Sequence, residues 1–378
     1  MTDQSVGTTS PLVATATPSI ARIPANAHVC VVLLTGLGDV IHGLPVVNAI
    51  RRAHPDCRIT WVAEPMPAGV LEPHAAIDRV VVFHKKRGLR GVLDLWRDLR
   101  DERFDIAIDF NIYFKSIFPM VLSRAPVRLG FDRARARDGV WLFCNRHVEP
   151  RPRSHTQDMF FEFLDALGVA RPDPLEWRLV PAAEEEAAQA AFFAAYAGRP
   201  IAAVVPASAN GKKDWVPERY VELVDRLDRE CGLLPMLLGG PGQRETGIAS
   251  MIAEGALTDV IWAMGDGVRR LIWLLQRCRL VIAPDTGPVH IARALGVPVV
   301  GLYGHTNPWR VGPYRAFEDL WIDRYNEPGS RPDPSLATPK HGRMETITTD
   351  DVIEMVKRAI ATTARADSTA QRDARIRE

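Results

Sequence analysis

The apolar and polar positions of this chain alternate between two periods. Short continuous apolar runs stand at 28–34, 59–63, 80–83, 106–110, 201–205, 234–238, 260–262, 280–282 and 297–303. Runs of this length rich in Val, Ile and Leu mark strands covered on both faces. Between them, apolar residues recur three and four apart. Val40, Leu44, Val47 and Ile50 share one helical face, and so do Leu89, Val92, Trp96 and Leu99 in a helix studded with arginines. A helix is predicted over 268–276, and a last amphipathic one over 350–361 through Val352, Ile353, Val356 and Ile360. Strands alternating with helices predict βαβ units and a parallel sheet with helices on both faces. The alternation breaks between about 150 and 200. There Arg151-Pro152-Arg153, Pro172 and Pro174 interrupt two helical patterns, 158–167 and 184–196, before it restarts. This stretch is expected to join two similar α/β halves. Residues 326–343 are rich in Pro and Gly and read as loop.

A chain of 378 residues can bury a core in each of two domains. Charge changes the picture little: 47 basic residues stand against 46 acidic ones, which argues against bulk nucleic-acid binding. The five cysteines (Cys30, Cys57, Cys144, Cys231, Cys278) have no paired short spacing. They suit neither a zinc site nor a disulfide framework, and they suggest a reducing compartment. No apolar run reaches the roughly 18 residues of a spanning helix. Residues 1–24 are rich in Ser, Thr, Ala and Pro and lack the charged start and apolar block of a signal peptide. They read as a disordered leader, and the polar stretch from 362 onward as a frayed tail.

Doubly wound halves bind ligands at the carboxyl ends of their strands, and four polar stretches fall at such ends. The first is Gly36-Leu37-Gly38-Asp39. Its glycines let backbone approach a ligand, and Asp39 can serve as a general base or simply cap its helix. His42, one turn on, can touch the same ligand or be a partly buried surface histidine. The second is the loop Ser208 to Lys213, where Lys212 and Lys213 suit a phosphate but equally make a solvated loop. The third is Gly239-Gly240-Pro241-Gly242 with Glu245 behind it; the acid can hold ribose hydroxyls, or the turn is a plain one. The fourth is Asp285-Thr286-Gly287-Pro288-Val289-His290 between a strand and a helix. Unpaired N–H groups and the positive helix end suit phosphate there. Thr286 and His290 add donors, whereas Asp285 fits better as a cap on backbone N–H groups. In the first half, Asn111, Lys115 and Ser116 follow the strand ending at Asp109. Arg133, Arg135 and Arg137 follow in a loop, and Lys85, Lys86, Arg87 and Arg90 come after Phe83. So many cations at one edge imply an anionic partner, though each alone reads equally as a solvated residue. Together the four loops point to a nucleotide-type ligand.

Four segments resemble a known family in order: Gly38-Asp39-Val40-Ile41-His42-Gly43-Leu44-Pro45, Lys213-Asp214-Trp215-Val216-Pro217, Asp285-Thr286-Gly287-Pro288-Val289-His290, and Val300-Gly301-Leu302-Tyr303-Gly304-His305-Thr306-Asn307-Pro308. The family is that of the ADP-heptose:lipopolysaccharide heptosyltransferases, glycosyltransferase family 9. Asp109-Phe110-Asn111 with Lys115-Ser116, and Leu142-Phe143-Cys144-Asn145-Arg146, are most similar to its heptosyltransferase I branch. The resemblance spans about 28–325.

The resemblance implies a GT-B fold, two Rossmann-like doubly wound domains facing a cleft. It implies a disordered leader over 1–25 and an acceptor domain over 26–180. A nucleotide-sugar domain over 181–345, a helix over 346–362 crossing back to the first domain, and a disordered tail over 363–378 follow. It also implies inverting transfer of a heptose from ADP-heptose to the Kdo or heptose of the lipopolysaccharide inner core, without metal or cofactor. Asp39 resembles the catalytic base and Lys213 the lysine on the donor phosphates. Ser208, Lys212, Gly239, Gly240, Glu245, Asp285, Thr286, Gly287 and His290 are expected at the donor, and Gly38, His42, Asn111, Lys115 and Arg137 at the acceptor. The partners expected are the nucleotide sugar and an anionic glycolipid, with no nucleic acid. A cytoplasmic monomer with peripheral contact at the inner membrane is expected. Another sugar or acceptor, an epimerase or phosphorylase on the same fold, or a non-catalytic nucleotide-sugar binder are the alternatives.

Overall fold

A computed structural model of the chain describes residues 20–196, 198–265 and 267–377, with side chains through 363. Most of the expected leader lies outside these residues. Its end does not behave as a leader. Ala21 and Ile23 are buried, and the amides of Ile20 and Ala21 both donate to the Ala166 carbonyl.

The first domain is built from β1 (His28–Leu33), α1 (Leu37–Ala53), β2 (Arg58–Ala63), α2 (Pro65–Leu71), β3 (Arg79–Val82) and α3 (Leu89–Leu99). It continues through β4 (Ile106–Asp109), α4 (Ile117–Leu122), β5 (Val127–Gly130), β6 (Arg146–His147) and α5 (Thr156–Leu167). Its six strands run parallel in the order β3-β2-β1-β4-β5-β6. The second domain begins with α6 (Ala183–Phe193), β7 (Ile201–Val204), α7 (Pro217–Cys231), β8 (Leu234–Gly239), α8 (Gln243–Gly255) and β9 (Ile261–Met264). It adds α9 (Val268–Gln276), β10 (Leu280–Pro284), α10 (Gly287–Leu295), β11 (Val299–Tyr303), α11 (Pro308–Val311), β12 (Trp321–Asp323) and α12 (Thr349–Arg377). Its strands are again all parallel, in the order β12-β11-β10-β7-β8-β9.

In both sheets the strand order reverses beside the first strand of the domain. β1 lies next to β4 and β7 next to β10. Such a reversal leaves a crevice at the carboxyl ends of the two strands, where loops leave toward opposite faces. The apolar runs explain the central strands: every residue of β1, β4, β7, β10 and β11 is buried. One large core cluster includes Val40, Leu44 and Val47 of α1, Phe160 and Phe163 of α5, Ile272 of α9 and Val289 of α10. The two domains therefore share core along a seam where α1 packs on α10 and α2 on α9.

Three expectations about the end of the chain change. The last strand is β12, not the run at 297–303, because a three-residue strand gives almost no periodic signal. Among the described side chains the last helix packs on the second domain and not the first: Val352, Ile353, Val356 and Ala359 join that domain's core beside Leu223, Leu227 and Ile322. It also continues to Arg377, past the predicted end and through the stretch expected as a disordered tail.

Candidate functional site

β1 delivers the chain to a turn at Gly36, and α1 begins at Leu37. Gly36 is the N-cap and no side chain caps the helix. Asp39 sits in the first turn, is half-buried, and its carboxylate has no hydrogen bond or ion pair among the described residues. The capping reading of Asp39 therefore fails. Its carboxylate instead borders a cleft of about 660 Å³, together with Gly36, Gly38 and Met66 of the first domain.

The opposite wall belongs to the second domain. β7 runs into Ser208, Ala209 and Asn210, then a tight 3-10 turn, Gly211–Lys213. Asp214 organises this loop: its Oδ1 accepts from the Ser208 amide (2.7 Å) and hydroxyl (2.9 Å), and Arg244 grips its Oδ2 and the Ser208 carbonyl. The Ser208 hydroxyl is thus directed into its own loop, although the residue borders the cleft. Lys213 points across to β10, where its Nζ lies 2.7 Å from Asp285 Oδ2 and 3.5 Å from the Asp285 carbonyl. Asp285 is buried and serves as the partner of Lys213, not as a helix cap. Lys212 is exposed and lies outside the cleft lining, because the 3-10 turn aims adjacent side chains in different directions. Thr286 is the N-cap of α10 without a side-chain cap bond, so it and Gly287 present the open end of the helix to the cleft. Gly239, Gly240 and Glu245 line the far end, and Glu245 Oε2 accepts from the Gly240 amide at 2.7 Å.

Three histidine rings meet under the cleft. His42 lies 4.5 Å from His290 and 5.5 Å from His155, centroid to centroid. Gln157 holds His42 by its side chain (3.1 Å to Nδ1) and by the His42 carbonyl (2.8 Å). Burial pushes all three histidines below their ordinary range, His155 to about 3; the Asp39 carboxylate partly opposes this for His42. They are neutral rings in a seam. His290, expected as a donor to phosphate, is 6% exposed with Nδ1 unpartnered, and its ring packs on Gly38. A Cβ at position 38 would stand 2.6 Å from that ring, so only glycine fits.

Three residues expected at the acceptor are placed elsewhere. Asn111 is buried; its Oδ1 accepts from the Leu34 amide (2.9 Å), and its Nδ2 donates to the Val32 carbonyl (3.0 Å) and Asp109 (2.8 Å). It ties β1 to β4. Lys115 lies 3.3 Å from Glu64, which also pairs with Lys85, and it is not part of the cleft lining. Arg137 is also outside the cleft lining; it is exposed, its guanidinium 5.9 Å from the centre of the Tyr113 ring.

Two further arginines, which the sequence did not mark as site residues, lie near it. Arg310 of α11 is half-buried, its Nη1 is enclosed without a hydrogen-bond partner, and the charges acting on it include Arg153, Asp39 and Arg137. Burial, then Arg153, lowers its pKa. Neither Arg153 nor Arg310 has an ion pair among the described residues. Unpaired guanidiniums near a carboxylate suit an anionic group. An arginine two residues past the last motif was the available signal, but its direction depends on how α11 docks against α5: Thr156 Oγ1 donates to the Arg310 carbonyl (3.4 Å), and His155 Nε2 to that of Gly312 (3.0 Å).

The cleft can thus hold a phosphate-bearing ligand against the second domain and a hydroxyl against Asp39. Residues 92–329 match the model of glycosyltransferase family 9 (heptosyltransferase). The chain is 30% identical to the lipopolysaccharide core heptosyltransferase OpsX of Haemophilus influenzae, over 80% of this chain and 86% of that one. It is 28% identical to lipopolysaccharide heptosyltransferase 1 of Escherichia coli K12, over 76% of this chain and 91% of that protein. Among solved structures, a family 9 glycosyl transferase from Veillonella parvula superposes with a TM-score of 0.76 at 24% identity, covering 90% of this chain and 99% of that one. The Escherichia coli heptosyltransferase WaaC with ADP superposes with a TM-score of 0.66 at 22% identity, covering 88% and 98%. The two parallel sheets facing one cleft are the GT-B fold, and the chain belongs to glycosyltransferase family 9.

Proposed function

We propose that this enzyme transfers a heptose, with inversion, from ADP-heptose to the inner core of lipopolysaccharide. The observation that carries the reading is Asp39: a carboxylate without a partner among the described residues, lining the same cleft as Lys213 and the open end of α10. Asp39 takes the proton of an acceptor hydroxyl while that oxygen attacks the anomeric carbon. The bond from that carbon to the diphosphate oxygen breaks, and ADP leaves with the electron pair. A carboxylate is a weak base for an alcohol, so it works by position and late proton transfer. Lys213 and the amides at the start of α10 stabilise the charge growing on the leaving diphosphate. Glu245, Gly239 and Gly240 stand where the nucleoside end would lie, and Arg137, Arg153 and Arg310 where an anionic acceptor sugar would lie. The names of the relatives support heptose as the sugar, and one WaaC structure carries ADP.

The test is Asp39→Asn. Turnover should fall about 10²–10⁴-fold while ADP affinity, measured by calorimetry, is nearly kept. Full activity in that variant refutes the assignment. A thermal-shift panel of ADP, UDP and GDP identifies the nucleotide, since only a ligand of the folded state raises the midpoint. Stabilisation by UDP or GDP instead of ADP would replace the donor but keep the reaction.

A further inference from the structure

Among the described residues thirteen large apolar side chains are exposed, and nine of them fall between Met66 and Phe143. α3 shows why this is unusual. Its inner face, Gly91, Leu95 and Leu99, is buried against the sheet as an amphipathic helix requires. Yet Leu89 (88% exposed), Leu93 and Trp96 form a second apolar stripe at spacings of four and three on its outer side. α3 packs against α4, and α4 against the 3-10 turn Val140–Phe143. Phe114 (52%), Val121 and Leu142 (65%) extend the same exposed surface. Scattered apolar residues need no explanation, but a contiguous patch marks a contact surface.

The charge around the patch selects the partner. Residues 85–100 carry six basic side chains against two acidic ones, and residues 114–146 carry seven against two, in a chain of net charge +1. Asp94 is held by Arg87 and Arg97, while Lys86 and Arg90 are exposed with no ion pair among the described residues. A protein partner of matching shape would need an acidic rim around an apolar centre. A bilayer supplies both over any area, since anionic headgroups attract Lys and Arg while Trp, Leu and Phe enter the interface below them. No helix of the described residues is long and apolar enough to cross a membrane.

We infer that the outer face of α3 and α4, with the turn at Val140–Phe143, docks this enzyme on an anionic lipid bilayer. The inference rests on the proposed transfer to a glycolipid. Tyr113 adjoins Phe114 and lies under Arg137, one of the charges acting on Arg310 together with Asp39, which borders the cleft. Docking by this face sets the acceptor's polar end beside Asp39 while its acyl chains remain in the bilayer.

The test is co-sedimentation with vesicles of phosphatidylcholine, alone or mixed with phosphatidylglycerol, at low and high salt. The protein should bind the mixed vesicles, and salt should weaken binding. Leu93→Glu with Phe114→Glu, and separately Lys86→Glu with Arg90→Glu, should each weaken it at least about tenfold. Thermal midpoints and turnover on a soluble, deacylated acceptor should not change. Absence of binding by the wild type, or wild-type binding by both double variants, overturns the inference. So does a wild-type dimer that Leu93→Glu dissociates, since the patch then covers a second copy. Vesicle binding without any sugar transfer overturns the proposed function and leaves the docking face standing, whereas transfer without vesicle binding does the reverse.

Discussion

Lys213 and Asp285 meet in the open cleft, so the cation expected on a diphosphate is already held by an anion. Removing the lysine leaves Asp285 buried without its partner, which costs stability as well as binding. Lys213→Ala should raise the Kd for ADP and lower kcat together, with a reduced thermal midpoint. Unchanged affinity and rate would count against the donor assignment. Arg310→Gln should act differently, raising acceptor KM about tenfold with ADP affinity kept, because it removes a charge-assisted contact to the acceptor alone. A shift confined to the donor would remove Arg310 from the acceptor side. Gly38→Ala places a methyl against a buried ring and should cost about 1–3 kcal/mol in denaturant unfolding. Residues at strand-end turns were legible in the chain because a turn between strand and helix dictates where they face; Asp39, Lys213 and Thr286 are of this kind. Ser208 and Asn111 were not, because their partners, Asp214 and the Val32 carbonyl, are chosen by the folded loop and the neighbouring strand.

Elements with long apolar patterns were predicted within a few residues, as β1, α1, α3 and α9 show. Most of those that the chain concealed are short, the thirteen-residue α8 being the exception. β6 has two residues and β12 three, too few to show a period, and α2 and α4 carry prolines inside or at their ends. The destination of α12 failed for another reason: an amphipathic face says that a helix is buried, not against which domain. The junction of α1, α5 and α10 has a consequence for acid stability. His155 caps α5, its Nδ1 accepting from the Gln157 amide (3.1 Å) while Nε2 donates to Gly312, so protonation of Nδ1 breaks the cap. The folded pKa lies below the unfolded value near 6.5, down to about 3. The unfolded chain therefore binds more protons in this window. Stability is fully present above about pH 6.5 and is lost as pH falls toward 3, by up to about 1.4 kcal/mol per pH unit for each such histidine. His155→Asn keeps an N-cap acceptor and should flatten that slope in urea titrations at pH 7, 6 and 5. An unaltered slope would show that His155 does not report it.

At the scale of the whole molecule, both halves place their strand reversals toward one crevice, which follows from two doubly wound sheets joined through a shared core. The repetition of strand and helix made that architecture readable, while the facing of the two crevices rests on contacts no local pattern encodes. Two of these contacts mirror one another. Gly38 of the first domain lies against the His290 ring of the second, and Gly287 of the second lies against Leu37 of the first, where an added Cβ would meet it at 3.0 Å. Each half therefore offers bare backbone to a side chain of the other. The two halves thus meet backbone to side chain at both ends of one joint, and a side chain grown at either glycine would wedge them apart beside the very turn that carries Asp39. The spacing of the crevice is therefore set by what these two positions leave out as much as by what lines it.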